Sequence, residues 1–332
     1  MSISVISPDL SADDIAKAAE HWSKAHNDTD FARREWLGHP LAQQRLVKIM
    51  GHHTHAQWFV DTQLWHKPVR RGLGVGVGAA FHELQLLTSG AVERFDFYDI
   101  SPAGLDIARV EAEKLGVADR IDFICRDINT STLPRETYDV ITFMASLHHI
   151  HELEKTLLAC RDALAPGGVL WAFEYVGPDR FAYPDEHANI ARRIYRLLDE
   201  ELRLPGEPDL KFPSPEEVIA VDPTEAIHSS EILPTMRRIW PNLEVHGQYG
   251  SLLFMIMWCL NHDALYDTRK GWEAYGTLVD LETALVDAGA LPHYFVNAIA
   301  RKDTRKQALA RRMGINPKGA VYKALHRLRG RR

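Results

Sequence analysis

Cysteine is scarce in this chain and does not pair by spacing: Cys125, Cys160 and Cys259 stand among 332 residues with no CxxC. An odd count without such a motif argues against a disulfide framework or a cysteine-based structural zinc site, and it fits a reducing compartment. Long apolar runs are missing too. The longest, SLLFMIMWCL at residues 251–260, is too short to span a bilayer as a helix. It reads as buried structure or as the wall of an apolar pocket. The N-terminus, MSISVISPDLSADDIAKAAEHW, has no basic stretch ahead of an apolar one, so no secretory leader is expected and the expected location is cytoplasmic. There is no internal repeat and no low-complexity run.

What is present is a chain long and apolar enough, at 45% hydrophobic and 25% charged residues, to bury a substantial core. One large domain, or one domain with a sizeable subdomain, is expected. The net charge of -6 is unevenly spread. From Arg301 to Arg332 there are twelve Lys or Arg against Asp303 alone, leaving 27 basic and 44 acidic residues elsewhere. A tail of this sign could meet nucleic acid or an anionic surface; the plainer reading is a solvated terminal helix on an acidic body.

Residues 1–68 read as a helical cap. Ser11-Ala-Asp-Asp has the serine and acid of a helix start, and PLAQQRLVKIMG spaces Leu41, Leu46, Val47 and Met50 on one face before Gly51. Trp58, Phe59 and Trp65 would pack this cap on the rest. From Val69 the pattern becomes an alternation of strands and helices: VRRGLGVGV, AAFHELQLL, RFDFYD, SPAGLDIARVEAEKLG, RIDFIC, YDVITFMA, ELEKTLLACRDALAPGG and VLWAFEYV. Such alternation predicts a parallel sheet with crossover helices. The expected divisions are a helical cap at 1–68, a nucleotide-binding core at 69–177, a helical insertion and lid at 178–241, closing strands and helices at 242–302, and a basic tail at 303–332.

GLGVGVG ends the first predicted strand. Glycine serves where the chain turns sharply and a ligand packs on the backbone, with the free N–H groups of a helix start close by. Asp99 closes the second strand in FDFYDIS, where an acid can accept from both ribose hydroxyls of an adenosine. CRDIN sets Asp127 after the third strand, and MASLHHI follows the fourth.

The order of GxGxG, acid, second Asp, YDVITF and LAPGG resembles the class I S-adenosylmethionine-dependent methyltransferases, above all over residues 68–176. EYVGPDRF, DPTEAIHSSEILP and LVDAGALPHYFVNAIARK are further similar to a group of bacterial methyltransferases of small or poorly defined substrates, a resemblance that does not fix a substrate. The resemblance implies a Rossmann-like, seven-stranded, mostly parallel α/β sheet with flanking helices and a reversed final hairpin near residues 243–249 and 293–300. It implies S-adenosyl-L-methionine as cofactor, held by Gly74, Gly76, Gly78, Asp99, Ile100, Asp127, Ile128 and Met144. A glycine register two residues earlier is the alternative. The family has an acid two residues before its first glycine, where this chain has Gly72, so Glu83 is expected to meet the cofactor's amino group in its place.

Methyl transfer needs an aligned nucleophile and, for a hydroxyl, a base. The candidates end strands four and five: His149 and His148 as bases, Glu174 as a carboxylate orienting the substrate, and Tyr175 as pocket wall or donor. Arg180 is read as a surface residue with a lesser prospect of clamping an acidic substrate. The cluster His52, His53, His55 and His66 lacks a companion motif, and no metal is expected. The leading expectation is a small-molecule methyltransferase acting at an oxygen. Its pocket would be apolar if Trp240, Met255, Met257, Trp258 and Trp272 line it. Three alternatives stay open: intramolecular displacement on the cofactor that releases methylthioadenosine, a nucleic-acid methyltransferase using the basic tail, and a scaffold without turnover. Nucleic acid is disfavoured, because Met144-Ala-Ser-Leu stands where amino-methylating enzymes carry Asn or Asp before Pro-Pro and an aromatic. A symmetric dimer is the base-rate expectation.

Overall fold

The computed structural model describes residues 10–26, 28 and 30–312, so the part of the expected basic tail from residue 313 onward lies outside the described residues. Among the described residues, seven strands join in one sheet. They are β1 (Val69–Val75), β2 (Val92–Asp99), β3 (Ile121–Cys125), β4 (Tyr138–Met144), β5 (Leu164–Tyr175), β6 (Glu244–Gly247) and β7 (Phe295–Arg301), in the order β3-β2-β1-β4-β5-β7-β6. β1 to β5 are parallel, and β7 runs antiparallel between β5 and β6. The expected sheet and its reversed closing hairpin are therefore present. Strand order changes direction between β1 and β4, and their carboxyl ends open the crevice where open α/β sheets bind ligands.

The strands are read as strands because helices cover both faces. Val140, Ile141, Thr142 and Phe143 of β4 are buried in succession, as expected for parallel strands sandwiched between layers. On one face lie helices His55–Phe59, Phe81–Thr88 and Pro102–Lys114, with Phe59 stacked on Trp171 at 4.4 Å. On the other lie Leu153–Ala163 and Ile232–Ile239. Helix Pro102–Lys114 has its start fixed by Ser101, whose hydroxyl accepts from Gly104 N, and by Pro102. One boundary differs from expectation. LAPGG does not close the preceding helix but opens β5, which pairs through Leu164 with Tyr138 before the register shifts.

A third core sits beside the ends of β5 and β7. Trp36, Leu46, Tyr195, Met255, Ile256 and Tyr275 pack with Phe173, Tyr175 and Phe295, joining helices of the expected cap, insertion and closing segment in one layer. SLLFMIMWCL is buried helix here, Leu252–Met257, and of the residues expected to line an apolar pocket Trp240, Met255 and Met257 belong to the core. Trp58 and Phe59 are buried on the sheet as expected; Trp65 is exposed, with the Arg301 guanidinium 4.8 Å above its ring. No helix among the described residues is long and apolar enough to cross a membrane.

The third core encloses an ion pair. Arg45 Nη2 donates to Glu282 Oε2 at 2.5 Å, while Glu282 Oε1 accepts from Leu253 N at 2.9 Å. Both side chains are buried. Removing one partner strands a charge in apolar surroundings, so Arg45→Ala is expected to cost about 3–5 kcal/mol in urea unfolding. A loss under about 1 kcal/mol would mean that water reaches the pair.

His55 and His82 face each other at 5.6 Å under this layer. Burial pushes their imidazoles down, to about 4 for His55 and about 3 for His82. Bases kept neutral in the folded state bind protons only when the chain unfolds. Stability is therefore full above the ordinary histidine pKa of about 6.5 and is lost as the pH falls from there toward 4. His55 alone is expected to withdraw about 2 kcal/mol by about pH 5. Urea titrations at neutral and mildly acidic pH measure this, and His55→Gln should flatten the difference.

Candidate active site

β1 ends at Val75, and the chain then turns through the glycines. Gly76 sits at φ +60°, its N–H donating to Tyr98 O at 2.7 Å, and a Cβ there would lie 2.6 Å from Ser146 Cβ. Gly78 sits at φ +48° and donates to Asp99 Oδ2 at 2.9 Å; its Cβ would meet the His26 imidazole at 2.8 Å. Only glycine satisfies both the left-handed backbone and the lack of room. Asp99 Oδ1 accepts from Ser101 N at 2.7 Å. Burial raises the Asp99 carboxyl, while these N–H donors hold it down. Asp127 Oδ1 accepts from Asn129 N and Nδ2, and so acts as a turn cap at the end of β3.

These groups border a cavity of about 760 Å³, within the usual range for small-molecule sites of about 300–1,000 Å³. Its wall includes Gly76, Gly78, Asp99, Ile100, Asp127, Ile128 and Met144 at one end, and His148, His149, Tyr175, Glu35, Asp222 and Glu225 at the other. The glycine loop brings backbone without side chains to the cavity wall, and a buried carboxylate stands at its edge. This chemistry fits an adenosine-bearing cofactor.

The turn after β4 is built on Glu174. Its carboxylate is wholly buried and accepts from Ser146 N at 3.0 Å, Leu147 N at 2.7 Å and Tyr175 N at 3.0 Å. It also pairs with His148 Nδ1. Ser146 in turn donates its hydroxyl to Val75 O at 2.6 Å, which ties this turn to the glycine loop. Burial lowers the His148 imidazole, but Glu174, Glu225 and Asp222 together lift it to about 9, so it is a cation at neutral pH. His149 beside it, ring centroids 4.2 Å apart, is held well below the usual range by burial and then by the His148 charge. His149 Nδ1 lies 3.0 Å from Thr224 Oγ1, whose own hydroxyl donates to Asp222 Oδ1 at 2.8 Å. That network assigns the His149 proton to Nδ1. Its Nε2 then carries an open lone pair and has no hydrogen-bond partner. Burial, and then the neighbouring Glu225 carboxylate, raise Glu35 to about 7. Burial, with Asp222 nearby, does the same for Glu225.

Helix Ala12–His26 crosses both ends of the cavity. His26 fills the niche over Gly78 and Gly104, while the Trp22 indole donates to Asp222 Oδ2 at 2.9 Å and meets the His149 ring edge-on at 5.1 Å.

Three expected site residues stand apart from the cavity wall. Gly74 lies within β1, where a Cβ would come 2.6 Å from Val77 Cγ1. Glu83 is buried beneath the strands and accepts from Thr142 Oγ1 at 2.7 Å; burial raises its carboxyl. Its helix turns it toward the sheet, so it does not stand in for the missing acid. Glu174 spends its oxygens on backbone N–H groups and His148 rather than on a substrate. Arg180, expected at the surface, is buried, with Nη1 donating to Glu225 O at 2.7 Å. Trp258 borders the cavity, whereas Trp272 does not. Of the histidine cluster, His52 and His66 pair with Asp61 away from the cavity wall, and His55 is buried against Phe173. Sequence reading missed Glu35, Asp222, Thr224 and Glu225. The one available signal was the density of acids in DPTEA, a segment otherwise without helical or strand periodicity.

Residues 72–172 match the methyltransferase domain family. The chain is 35% identical over 132 residues to an uncharacterised protein of Synechococcus, and 29% identical over 125 residues to a demethylmenaquinone methyltransferase of Bacteroides fragilis. The matched stretches cover 40% and 35% of this chain and 28% and 49% of those proteins, under half the length of either relative. Among solved structures, phosphoethanolamine N-methyltransferase 2 of Haemonchus contortus, in complex with S-adenosyl-L-methionine, has a TM-score of 0.48 and 16% identity, over 85% of this chain and 60% of that one.

Proposed function

We propose that this chain, whose residues 72–172 match the methyltransferase domain family, is of the class I type and transfers a methyl group from S-adenosylmethionine to a hydroxyl of a small molecule. The cofactor supplies a methyl group already activated by the adjoining sulfonium charge. Gly76 and Gly78 would give its backbone-side contact, Asp99 would accept from its ribose hydroxyls, and Asp127, Ile128 and Met144 would flank its base. The acceptor lies at the other end of the same cavity, against Tyr175 and the aromatic wall of Phe181, Phe254 and Trp258.

One observation carries this reading: beside the charged His148 stands a neutral imidazole, His149, a residue of the cavity wall whose buried Nε2 has no hydrogen-bond partner. A neutral imidazole there can take a hydroxyl proton as the methyl group arrives. His148, locked to Glu174, keeps His149 neutral and orders the turn that carries it. His149→Ala is expected to lower turnover by about 10²–10⁴-fold with cofactor affinity changed less than threefold. Screening candidate hydroxyl acceptors with a readout for S-adenosylhomocysteine tests it. Full turnover in the variant would remove His149 from the chemistry, and methylthioadenosine released without an acceptor would replace methyl transfer by displacement within the cofactor.

A further inference from the structure

The acceptor end of the cavity gathers more negative charge than its own cations balance. Glu35, Asp222 and Glu225 line it and Glu174 stands just behind, with His148 between Glu174 and Glu225, His149 between Asp222 and Glu225, and Arg180 against the Glu225 backbone. Within this group, His148, His149 and Glu225 each offer one donor atom, and the three atoms lie within 4.8 Å of one another. His148 Nε2 is 3.5 Å from Glu225 Oε1, and His149 Nε2 is 3.8 Å from Glu225 Oε2. Donors around a tetrahedral zinc ion, at about 2.0–2.1 Å from nitrogen and about 2.0–2.2 Å from oxygen, stand roughly 3.3 Å apart. The donor atoms of the three residues thus stand within about 1.5 Å of that separation.

We propose that His148, His149 and Glu225 bind one divalent cation of the zinc type, at the point where the acceptor's hydroxyl is held. Two imidazoles and one carboxylate are a donor set suited to zinc and to first-row neighbours such as cobalt(II), and a tetrahedral ion so held keeps a fourth position for an oxygen. The surrounding shell is already built. Glu174 takes the Nδ1 proton of His148, and Thr224, backed by Asp222, takes that of His149. Each ring is thereby turned so that Nε2 points inward as a ligand. The cation takes the Nε2 lone pair of each ring. It balances the surplus carboxylates and acidifies a hydroxyl bound to it. This inference rests on placing the acceptor oxygen beside His149, and it changes what the lone pair of that residue holds: the cation, rather than the hydroxyl proton.

The test uses full-length protein stripped with a chelator and titrated with cobalt(II), then zinc. One equivalent should bind with a Kd in the micromolar range or below, and cobalt should give the visible absorption of a four- or five-coordinate nitrogen–oxygen site. Glu225→Gln and His149→Ala should each weaken binding at least tenfold, while Asp61→Asn, which removes the carboxylate between His52 and His66, should leave it unchanged. Should a variant fail to fold, X-ray absorption of the zinc-loaded wild type decides the matter: two histidine nitrogens in the first coordination sphere are expected. Sub-stoichiometric binding, affinity unchanged by Glu225→Gln, loss with Asp61→Asn, or no imidazole scattering would each overturn the site. Calorimetry with S-adenosylmethionine on the same preparation separates the two readings. Absent cofactor binding sinks methyl transfer, whereas absent cation binding with intact cofactor binding sinks the cation site alone.

Discussion

Replacing Asp99 by alanine is expected to weaken S-adenosylmethionine binding by about a hundredfold to ten-thousandfold. A buried carboxylate that accepts from two ribose hydroxyls makes two hydrogen bonds to a charged group, each worth about 1.5–3 kcal/mol, and every 1.4 kcal/mol is about tenfold in affinity. Water does not replace these bonds in the variant, because Asp99 is 7% exposed and lies under the glycine loop. The substitution also strands the N–H groups of Gly78 and Ser101, at a cost to the fold of about 1–3 kcal/mol. Asp99→Asn keeps one acceptor oxygen and the shape, so its loss should be one to two orders of magnitude smaller. Calorimetry of both variants, with urea unfolding as a control, gives the answer. An unchanged affinity in Asp99→Ala would mean that the loop holds another nucleotide or none.

The second large effect is expected at Glu174. Glu174→Ala removes one group that serves three backbone N–H donors and the His148 cation, all in the interior. Breaking a buried pair from one side costs about 3–5 kcal/mol. The loss should also reach the cofactor, because Ser146 holds Val75 and packs against Gly76 from this same turn. Cofactor affinity is expected to fall about tenfold, with turnover lost. Glu174→Gln keeps an oxygen for Ser146 and Leu147 but presents an amide nitrogen to His148, so it should recover part of the stability and little of the turnover. If Glu174→Ala unfolds within about 1 kcal/mol of the parent chain, the turn is held by something other than this carboxylate.

The contrast between Asp99 and Glu174 marks what the sequence could disclose. Strand and helix alternation, the glycine loop and the acid at the end of β2 are local patterns, each set by residues a few positions apart, and they were legible. Both acids end a strand, yet nothing local says that one faces a cavity and the other turns back to cap the N–H groups of a neighbouring strand's turn. Glu83 misled for a similar reason: the helix periodicity left its face undecided, and only Thr142, 59 residues away, gives its carboxyl a buried partner. Asp222 and Glu225 reach His149 and His148 across more than seventy residues, through an insertion with no regular period. The contacts that bring them there belong to a core whose members come from the cap, the insertion and the closing helices together.

Helix Ala12–His26 touches that assembly at both ends, with His26 over Gly78 and Trp22 on Asp222 and His149. A rigid segment resting on two sites couples them energetically. A ligand that lifts the helix from one site has already met the cost of lifting it from the other. Cofactor and acceptor should then each raise the other's affinity, and linkage requires the two factors to be equal. Binding order becomes a matter of which ligand arrives first, not of which one the site permits.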